Sequence, residues 1–481
     1  MRPATSPARS SRSVLALTVV LVVTASIAGS EELDLERVVE LALTQSPALQ
    51  ATIERRDEVE GGIREVRADA YPQIDLVSSW SRARNPSLLN SPDFEDIIDL
   101  IPDFRPAEQE LWDVGFEVSQ PVYSGGKIRA ALDLARLYAD VNEAQIRTAE
   151  LDATLAAAEI FFQLLQALRA VETVEVQERA REEALAVAEA RYELGDATQL
   201  ELLRARASLA EIRPAIVAIR GRVEIERSRL RAALGLAPAS EIAVVEDAPA
   251  EIVPAPEPRS EDRDRAGEAD PFVAPPPVDT LLAFAREHRP ELVDLRLQME
   301  ALDRRRVVTE ADGRPQVDFS GLYTHQARLP ENLDDSLFAN WRAAFNVRWS
   351  LFDGGRRKGQ VAQLESQREQ LAWRLRDQES RIVLEIELAR TEHETARARY
   401  RAAVVAARAA AEAHRVATEA YREGVALQSD LLDAQELETR AELLRLEAFY
   451  DGRVKAARLL RALGLLPTES WNSKDDTGGS R

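Results

Sequence analysis

The sequence predicts a mainly α fold with a small β part, built twice in tandem. Three observations carry that prediction: long runs with apolar spacing near 3.5, four stretches of period two, and recurrence of the whole pattern at a fixed offset. The composition agrees, being rich in Ala, Glu, Leu and Arg and only 5% aromatic. The chain has 481 residues with 62 Lys plus Arg against 83 Asp plus Glu, and its net charge of −21 opposes the phosphate neutralisation on which nucleic-acid affinity rests. No nucleic-acid partner is expected. The absence of Cys excludes a disulfide framework, a thiolate metal site and a cysteine nucleophile.

Residues 1–28 read as a signal peptide. Arg2, Arg9 and Arg12 precede an apolar run from Val14 to Ile27, and Ser26 and Ala28 flank a cleavage point before Gly29. Removing that segment takes away three Arg and no acid, which leaves about −24 on the mature chain. No later apolar run of 18 residues is evident, so further membrane insertion would use β-strands.

The mature chain divides into two copies of one pattern. An offset of 243 superposes Pro47 on Pro290 and Tyr71-Pro72-Gln73-Ile74-Asp75-Leu76 on Arg314-Pro315-Gln316-Val317-Asp318-Phe319. An offset of 229 superposes Gly125-Gly126-Lys127 on Gly354-Gly355-Arg356, Tyr192 and Gly195 on Tyr421 and Gly424, and Leu234-Gly235-Leu236 on Leu463-Gly464-Leu465. The copies, residues 31–236 and 279–467, thus differ by one 14-residue insertion between Arg82 and Leu111. Between them, residues 237–278 hold nine of the 23 Pro together with many acids, the composition of an extended connector. Residues 468–481 read as a disordered tail.

Each copy begins with a helical run, Leu33 to Asp69 in the first, that ends before an X-Pro step. Strands follow at about 72–82 and 112–122, and at about 315–328 and 341–352. In the first copy Ile74, Leu76 and Trp80 alternate with Gln73, Asp75 and Ser79, and Trp112, Val114, Phe116 and Val118 alternate with Asp113, Gly115, Glu117 and Ser119. In the second, Val317, Phe319 and Tyr323 are set against Gln316, Asp318 and His325, and Ala343, Phe345, Val347, Trp349 and Leu351 against Arg342, Asn346, Arg348 and Ser350. Strands of about 10 residues suit a tilted bilayer crossing, with Tyr71, Tyr123 and Phe352 at one interface and Trp80, Trp112 and Trp341 at the other. Four strands cannot close a barrel, for which about eight is the minimum with a fillable interior. The strands must be pooled between subunits.

After each Gly-Gly pair comes a helical run of about 68 residues, roughly 100 Å at 1.5 Å per residue. In the second copy Ile382, Ile386, Ala389, His393, Ala396, Tyr400, Ala403, Ala407, Ala410, His414, Ala417 and Tyr421 step by fours and threes, a coiled-coil seam whose small residues permit close approach. His393 and His414 are expected as seam histidines, because no second His or carboxylate stands near them at ligand spacing. The runs reverse at Gly195 and Gly424 and return to Leu234 and Leu463. The last run, about 38 residues, and the first, about 37, together span ~110 Å, close to the long helix, and are expected to stack end to end as one strut.

Catalytic patterns are missing. Gly125-Gly126-Lys127 lacks the earlier Gly and following Ser or Thr of a phosphate loop, and its recurrence as Gly354-Gly355-Arg356 reads as a strand-to-helix turn. Neither a His-Glu-x-x-His run nor a nucleophile elbow occurs. The alternative to a membrane conduit is a periplasmic coiled-coil scaffold whose strands form a soluble sheet.

The tandem halves, the hairpin in each half, the tip Tyr192-Glu193-Leu194-Gly195-Asp196-Ala197-Thr198, and the tip Tyr421-Arg422-Glu423-Gly424 followed by Asp430-Leu431-Leu432-Asp433-Ala434-Gln435 together resemble the TolC family of outer-membrane efflux and secretion channels. The likeness spans nearly all of residues 31–467. It implies a homotrimer with a shared twelve-stranded transmembrane β-barrel in the lipid bilayer, a trimeric α-barrel reaching into the periplasm, and the connector in an equatorial belt. It implies a passive exit duct of a tripartite efflux or type I secretion system, joined by a periplasmic adaptor (membrane fusion) protein to an inner-membrane pump of RND or ABC type, with no enzyme activity, cofactor or metal. Residues 83–111 and 329–340 become external loops. Tyr192, Leu194, Gly195, Thr198, Tyr421, Gly424 and Leu427 become adaptor-docking tips. Asp430 and Asp433 match the family's acidic entrance ring, a cation-attracting site to which Glu201 can add. Ala426 stands where some members place a basic gating residue.

Overall fold

A computed structural model describes residues 31–83, 109–245, 271–272, 274–327 and 339–469. The signal segment, most of both external loops, connector residues 246–270 and the tail from 470 lie outside the described residues. The first copy runs β1 (Glu31–Leu33), α1 (Leu35–Gln45), α2 (Pro47–Ile53), α3 (Arg55–Ala68), β2 (Gln73–Ala83), β3 (Gln109–Tyr123), α4 (Lys127–Leu194), α5 (Gln199–Ala233) and β4 (Ile242–Val244). The second runs α6 (Val278–His288), α7 (Pro290–Ala311), β5 (Gln316–Ala327), β6 (Ala339–Arg348), α8 (Arg356–Arg422) and α9 (Gln428–Leu463).

The opening helical run is broken where the periodicity suggested continuity. Asp34 caps α1 by accepting the Arg37 N–H at 2.7 Å, and Pro47, which has no N–H to continue that helix, starts α2. The parallel pairing of β1 with β4, Glu31 opposite Ile242 and Leu33 opposite Val244, was invisible in the sequence because three-residue strands are too short to display alternation. Instead of being extended throughout, the connector supplies β4 and Phe272, which is buried against the rings of His393, Tyr400 and Phe449.

The long helices follow the expected seam. Ile382, Ile386, Ala389, His393, Ala396, Ala407 and Ala410 are buried on α8, and the remaining five seam positions are half-buried. One stretch of α4 is long and apolar enough to cross a membrane, which corrects the expectation that no such run exists; half of it is buried against neighbouring helices. Ala157, Ala158, Phe161, Phe162, Leu164 and Leu165 of that helix pack with Val38, Leu41 and Ala42 of α1 and with Leu230 of α5.

Short helices abut in pairs beside the long ones. A Cβ at Gly235, just after α5, would stand 2.5 Å from the Gln45 carbonyl oxygen at the α1–α2 break; a Cβ at Gly464, just after α9, would stand 2.8 Å from the His288 carbonyl oxygen at the α6–α7 break. Both glycines have positive φ, 68° and 85°. Only a residue without a side chain fits both the turn and the abutment. These two junctions are equivalent under the internal duplication.

At the second junction lies a buried charge. The Arg289 guanidinium donates to both oxygens of Glu385 on α8, at 3.1 and 2.7 Å, and to the carbonyls of Arg461 and Ala462 at 3.1 and 3.2 Å. It therefore ties α6–α7 to α8 and to the end of α9. Removing one member of such a buried pair strands the other. Arg289→Ala should lower the thermal unfolding free energy by about 3 kcal/mol, the low end of the range because Glu385 stays 42% exposed. Arg64→Ala, which breaks the exposed Arg64–Glu60 pair, should change it by less than about 1 kcal/mol.

Candidate functional site

The four long strands form one antiparallel sheet in the order β2-β3-β5-β6. Its register places Leu76, Phe116, Tyr323 and Trp341 in one cross-strand row and Ile74, Val118, Gly321 and Ala343 in another, all on one face. Asp75, Glu117, Leu322 and Arg342 form a row on the opposite face, as do Ser79, Asp113 and Gln326. Within the polar face Gln326 donates to Asp113 at 2.7 Å and Asn346 to Ser320 at 2.9 Å. His325, expected on that face, is two residues from Tyr323 and shares the apolar side, because alternation depends on parity.

The apolar face is uncovered. Ile74 and Leu76 on β2 and Phe345 and Val347 on β6 are each 69–70% exposed, and Phe116 and Tyr323 on the two strands between them are about half exposed, so the apolar surface runs across the whole sheet, as at an interaction surface. Trp80 and Trp112 pair across β2 and β3 with ring centroids 6.2 Å apart, whereas Trp341 lies opposite Tyr323 in a different row. Tyr123 ends β3, Tyr71 precedes β2 in the turn after α3, and Phe352 follows β6.

The expected fourth strand, 341–352, is shifted: β6 spans Ala339–Arg348. The reason lies in its missing neighbour. Gln120, Pro121 and Tyr123, equivalent to Trp349, Ser350 and Phe352, remain in β3 only through pairing with β5, since β2 begins opposite Ser119. At the edge, β6 has no strand in that place.

Each hairpin leads into its long helix through two consecutive left-handed glycines, Gly125 and Gly126 (φ 64° and 88°) and Gly354 and Gly355 (φ 66° and 86°). Asp353 closes the second turn: its carboxylate accepts the Arg357 and Gly355 N–H groups at 3.2 and 3.0 Å, and these bonds, the Arg357 one foremost, hold it below the ordinary carboxylate range. Ser124 fills the same place in the first turn, its hydroxyl accepting the Ile128 N–H at 3.4 Å.

At the far end of the long helices both reversals have one geometry. Gly195 and Gly424 take φ 85° and 77°, with Gly195 N–H to Tyr192 carbonyl and Asp196 N–H to Arg191 carbonyl mirrored by Gly424 to Tyr421 and Val425 to Ala420. This pair of bonds is the Schellman termination, which needs the left-handed residue. Leu194 and Leu427 are strongly exposed there. Arg191 lies over the Tyr421 ring at 5.1 Å, so the two tips touch. The sequence offered only one hint of this contact, that Arg191 has Ala420 as its equivalent and hence breaks the internal symmetry.

Two of the three acids of the expected entrance ring, Glu201 and Asp430, also have structural roles. Thr198 caps α5 by accepting the Glu201 N–H, and Glu201 reaches back to the Thr198 N–H at 3.3 Å. Asp430 likewise accepts the Leu427 N–H at 3.2 Å at the start of α9. Asp430 and Asp433 are both exposed, one turn apart. His414 meets a carboxylate after all, Glu438 of α9 at 2.6 Å, which spacing along one helix could not show. Among the described residues no group of three His, Cys, Asp or Glu is placed to hold a metal ion.

The chain matches no curated protein by sequence. Solved structures do resemble it: a membrane protein from Pseudomonas aeruginosa (19% identity, TM-score 0.69, covering 89% of this chain and 92% of that one), the outer membrane protein VceC of Vibrio cholerae (21%, 0.66, 89% and 96%) and the Campylobacter jejuni CmeC outer membrane channel (16%, 0.70, 91% and 87%). The fold is that of TolC-like channels, open here because one chain supplies only part of the ring. The model of the family described as outer membrane efflux protein matches residues 38–236 and 281–465. With a two-faced sheet above long helices and most of its length inside that match, the chain is a non-enzymatic efflux channel component of the outer membrane with a periplasmic portion, not a soluble scaffold, and belongs to the outer membrane efflux protein family.

Proposed function

We propose that three copies of this chain form the exit duct of a tripartite efflux or type I secretion system. The observation that carries this reading is the sheet: two-faced, uncovered on its apolar side, and ending in two strands, β2 and β6, with one neighbour each. Pooled from three copies, such sheets close into a barrel with the apolar rows toward lipid and the polar rows toward water. The leader directs export. The helices continue the duct into the periplasm, where the tips around Tyr192, Leu194, Gly195, Thr198, Tyr421, Gly424 and Leu427 dock an adaptor protein that couples the duct to an RND or ABC pump. Cargo passes down its gradient, with no step of bond chemistry in the chain.

Glu201, Asp430 and Asp433 form an acidic collar at the entrance, where like charges in a narrow opening concentrate cations. Because Asp430 also caps its helix, amide replacement separates the two roles: Asn retains an acceptor and loses the charge. Asp430→Asn with Asp433→Asn should weaken block of single-channel current by multivalent cations at least tenfold while leaving helix content unchanged. Unaltered block would remove the collar.

The tips give a second test. A Cβ at Gly195 or Gly424 meets nothing within 4 Å, so substitution acts through the backbone alone. Val at either position should cost about 1–2 kcal/mol locally and abolish efflux of a known substrate while the protein still reaches the outer membrane. Wild-type efflux by both variants would contradict the docking assignment.

A further inference from the structure

Residues 229 apart stand in equivalent places on α4 and α8, so identical halves would give the two helices one surface. Near the sheet they differ. Tyr138, Val141 and Asn142 of α4 correspond to Gln367, Gln370 and Leu371 of α8, apolar exchanged with amide at all three places. All six residues border one cavity of about 810 Å³, to which α3 and α7 also contribute. In this half the helices pack in the order α3, α4, α7, α8, an open arc. Only the concave side of an arc is within reach of both its end helices, so the cavity opens where the assembled duct has its lumen.

The cavity is amphipathic and carries no net charge. Arg55 and Arg374 are balanced by Glu58 and Glu65, in a chain whose own net charge is −21. Arg55 is also engaged, donating to Gln145 at 3.3 Å. Such a wall has no excess charge to draw in an ion of either sign. Asn142 is the residue that packing leaves unexplained. It is only 4% exposed, and its Nδ2 has no hydrogen-bond partner among the described residues, although the other half fills the equivalent place with the equally buried, apolar Leu371. A buried donor left unmatched costs free energy that Leu would not incur. Because the terminal torsion of Asn is broad and two-fold, the amide can turn either its donor or its acceptor to the cavity.

We infer that this cavity binds uncharged, largely apolar solutes that carry a carbonyl or amide group, with Asn142 hydrogen-bonding that group and Tyr138, Val141 and Leu371 covering the apolar body. Volume and make-up both fit, since small-molecule sites enclose ~300–1,000 Å³ and are apolar with a few placed polar groups. The inference rests on the duct reading and names a class of cargo that the wall itself recognises, separate from the attraction of cations at the entrance.

Equilibrium dialysis of the detergent-extracted full chain tests it. The ligand is 6-propionyl-2-(dimethylamino)naphthalene, an uncharged aromatic ketone; the comparison is its analogue with propyl in place of propionyl, and protein-free micelles give the baseline. The wild type should bind the ketone saturably, one per chain, and prefer it to the analogue once micelle partition is subtracted. Asn142→Leu should weaken the ketone roughly tenfold, spare the analogue, and leave the thermal unfolding midpoint equal or higher. A purely structural Asn142 would instead leave both affinities unchanged, which overturns its role. Tyr138→Gln, which copies Gln367 at a side chain 43% exposed, should weaken both ligands alike, because it removes apolar wall and no ketone partner. Where Asn142→Leu does not assemble, Tyr138→Gln decides alone: unchanged binding of both ligands overturns the site. Trimers that bind neither ligand saturably, or bind both indifferently to the two substitutions, overturn the site and leave the duct standing. A wild-type particle of one chain overturns the duct and the lumenal site together.

Discussion

Backbone hydrogen bonding at a sheet edge is the constraint on which the rest of this structure depends. A strand with one neighbour presents a row of unpaired N–H and C=O groups, which water can solvate but hydrocarbon cannot. Here the edge strands β2 and β6 also carry exposed Trp80, Trp341, Phe345 and Val347, so they belong to a surface that avoids water. A single chain satisfies neither demand. Closure with further copies satisfies both, because it pairs the edges and turns the apolar rows outward.

The helical part obeys the same logic by different means. Long helices with Ala-rich seams approach closely, and the short helices abut end to end at Gly235 and Gly464, where a Cβ would meet a carbonyl. In the sheet-proximal half packing runs α3, α4, α7, α8, and in the distal half α5, α4, α9, α8. Each half is an open arc of four. The buried Arg289 group locks the junction between these levels, and an exposed Lys127–Asp312 bridge spans the two copies at the turn from sheet to helix.

Much of this was legible in the sequence because each signal was long. Heptad spacing sustained over the 40 residues from Ile382 to Tyr421 marks the long helix, and four alternating segments at matched offsets mark the four long strands. Short or non-local features escaped. The β1–β4 pair is three residues long, the helix break at Ser46 and Pro47 interrupts an otherwise continuous apolar period, and the contact of His414 with Glu438 joins residues brought together only by the hairpin. His325 was placed on the wrong face through parity, not chemistry. At the tips the glycines were readable from their recurrence, whereas Arg191 over Tyr421 was not, since it has no counterpart in the second half. The acids Glu201 and Asp430 were read for charge alone, and the helix-capping bonds they make became visible only in three dimensions.

Electron cryomicroscopy of the detergent-extracted particle, viewed down its long axis, tests the central claim most directly. The account predicts three chains arranged as six near-equivalent lobes around a hollow core, with a continuous ring of strands at one end. A particle of one chain whose four strands curl over its own helices, leaving no axial opening, would contradict it.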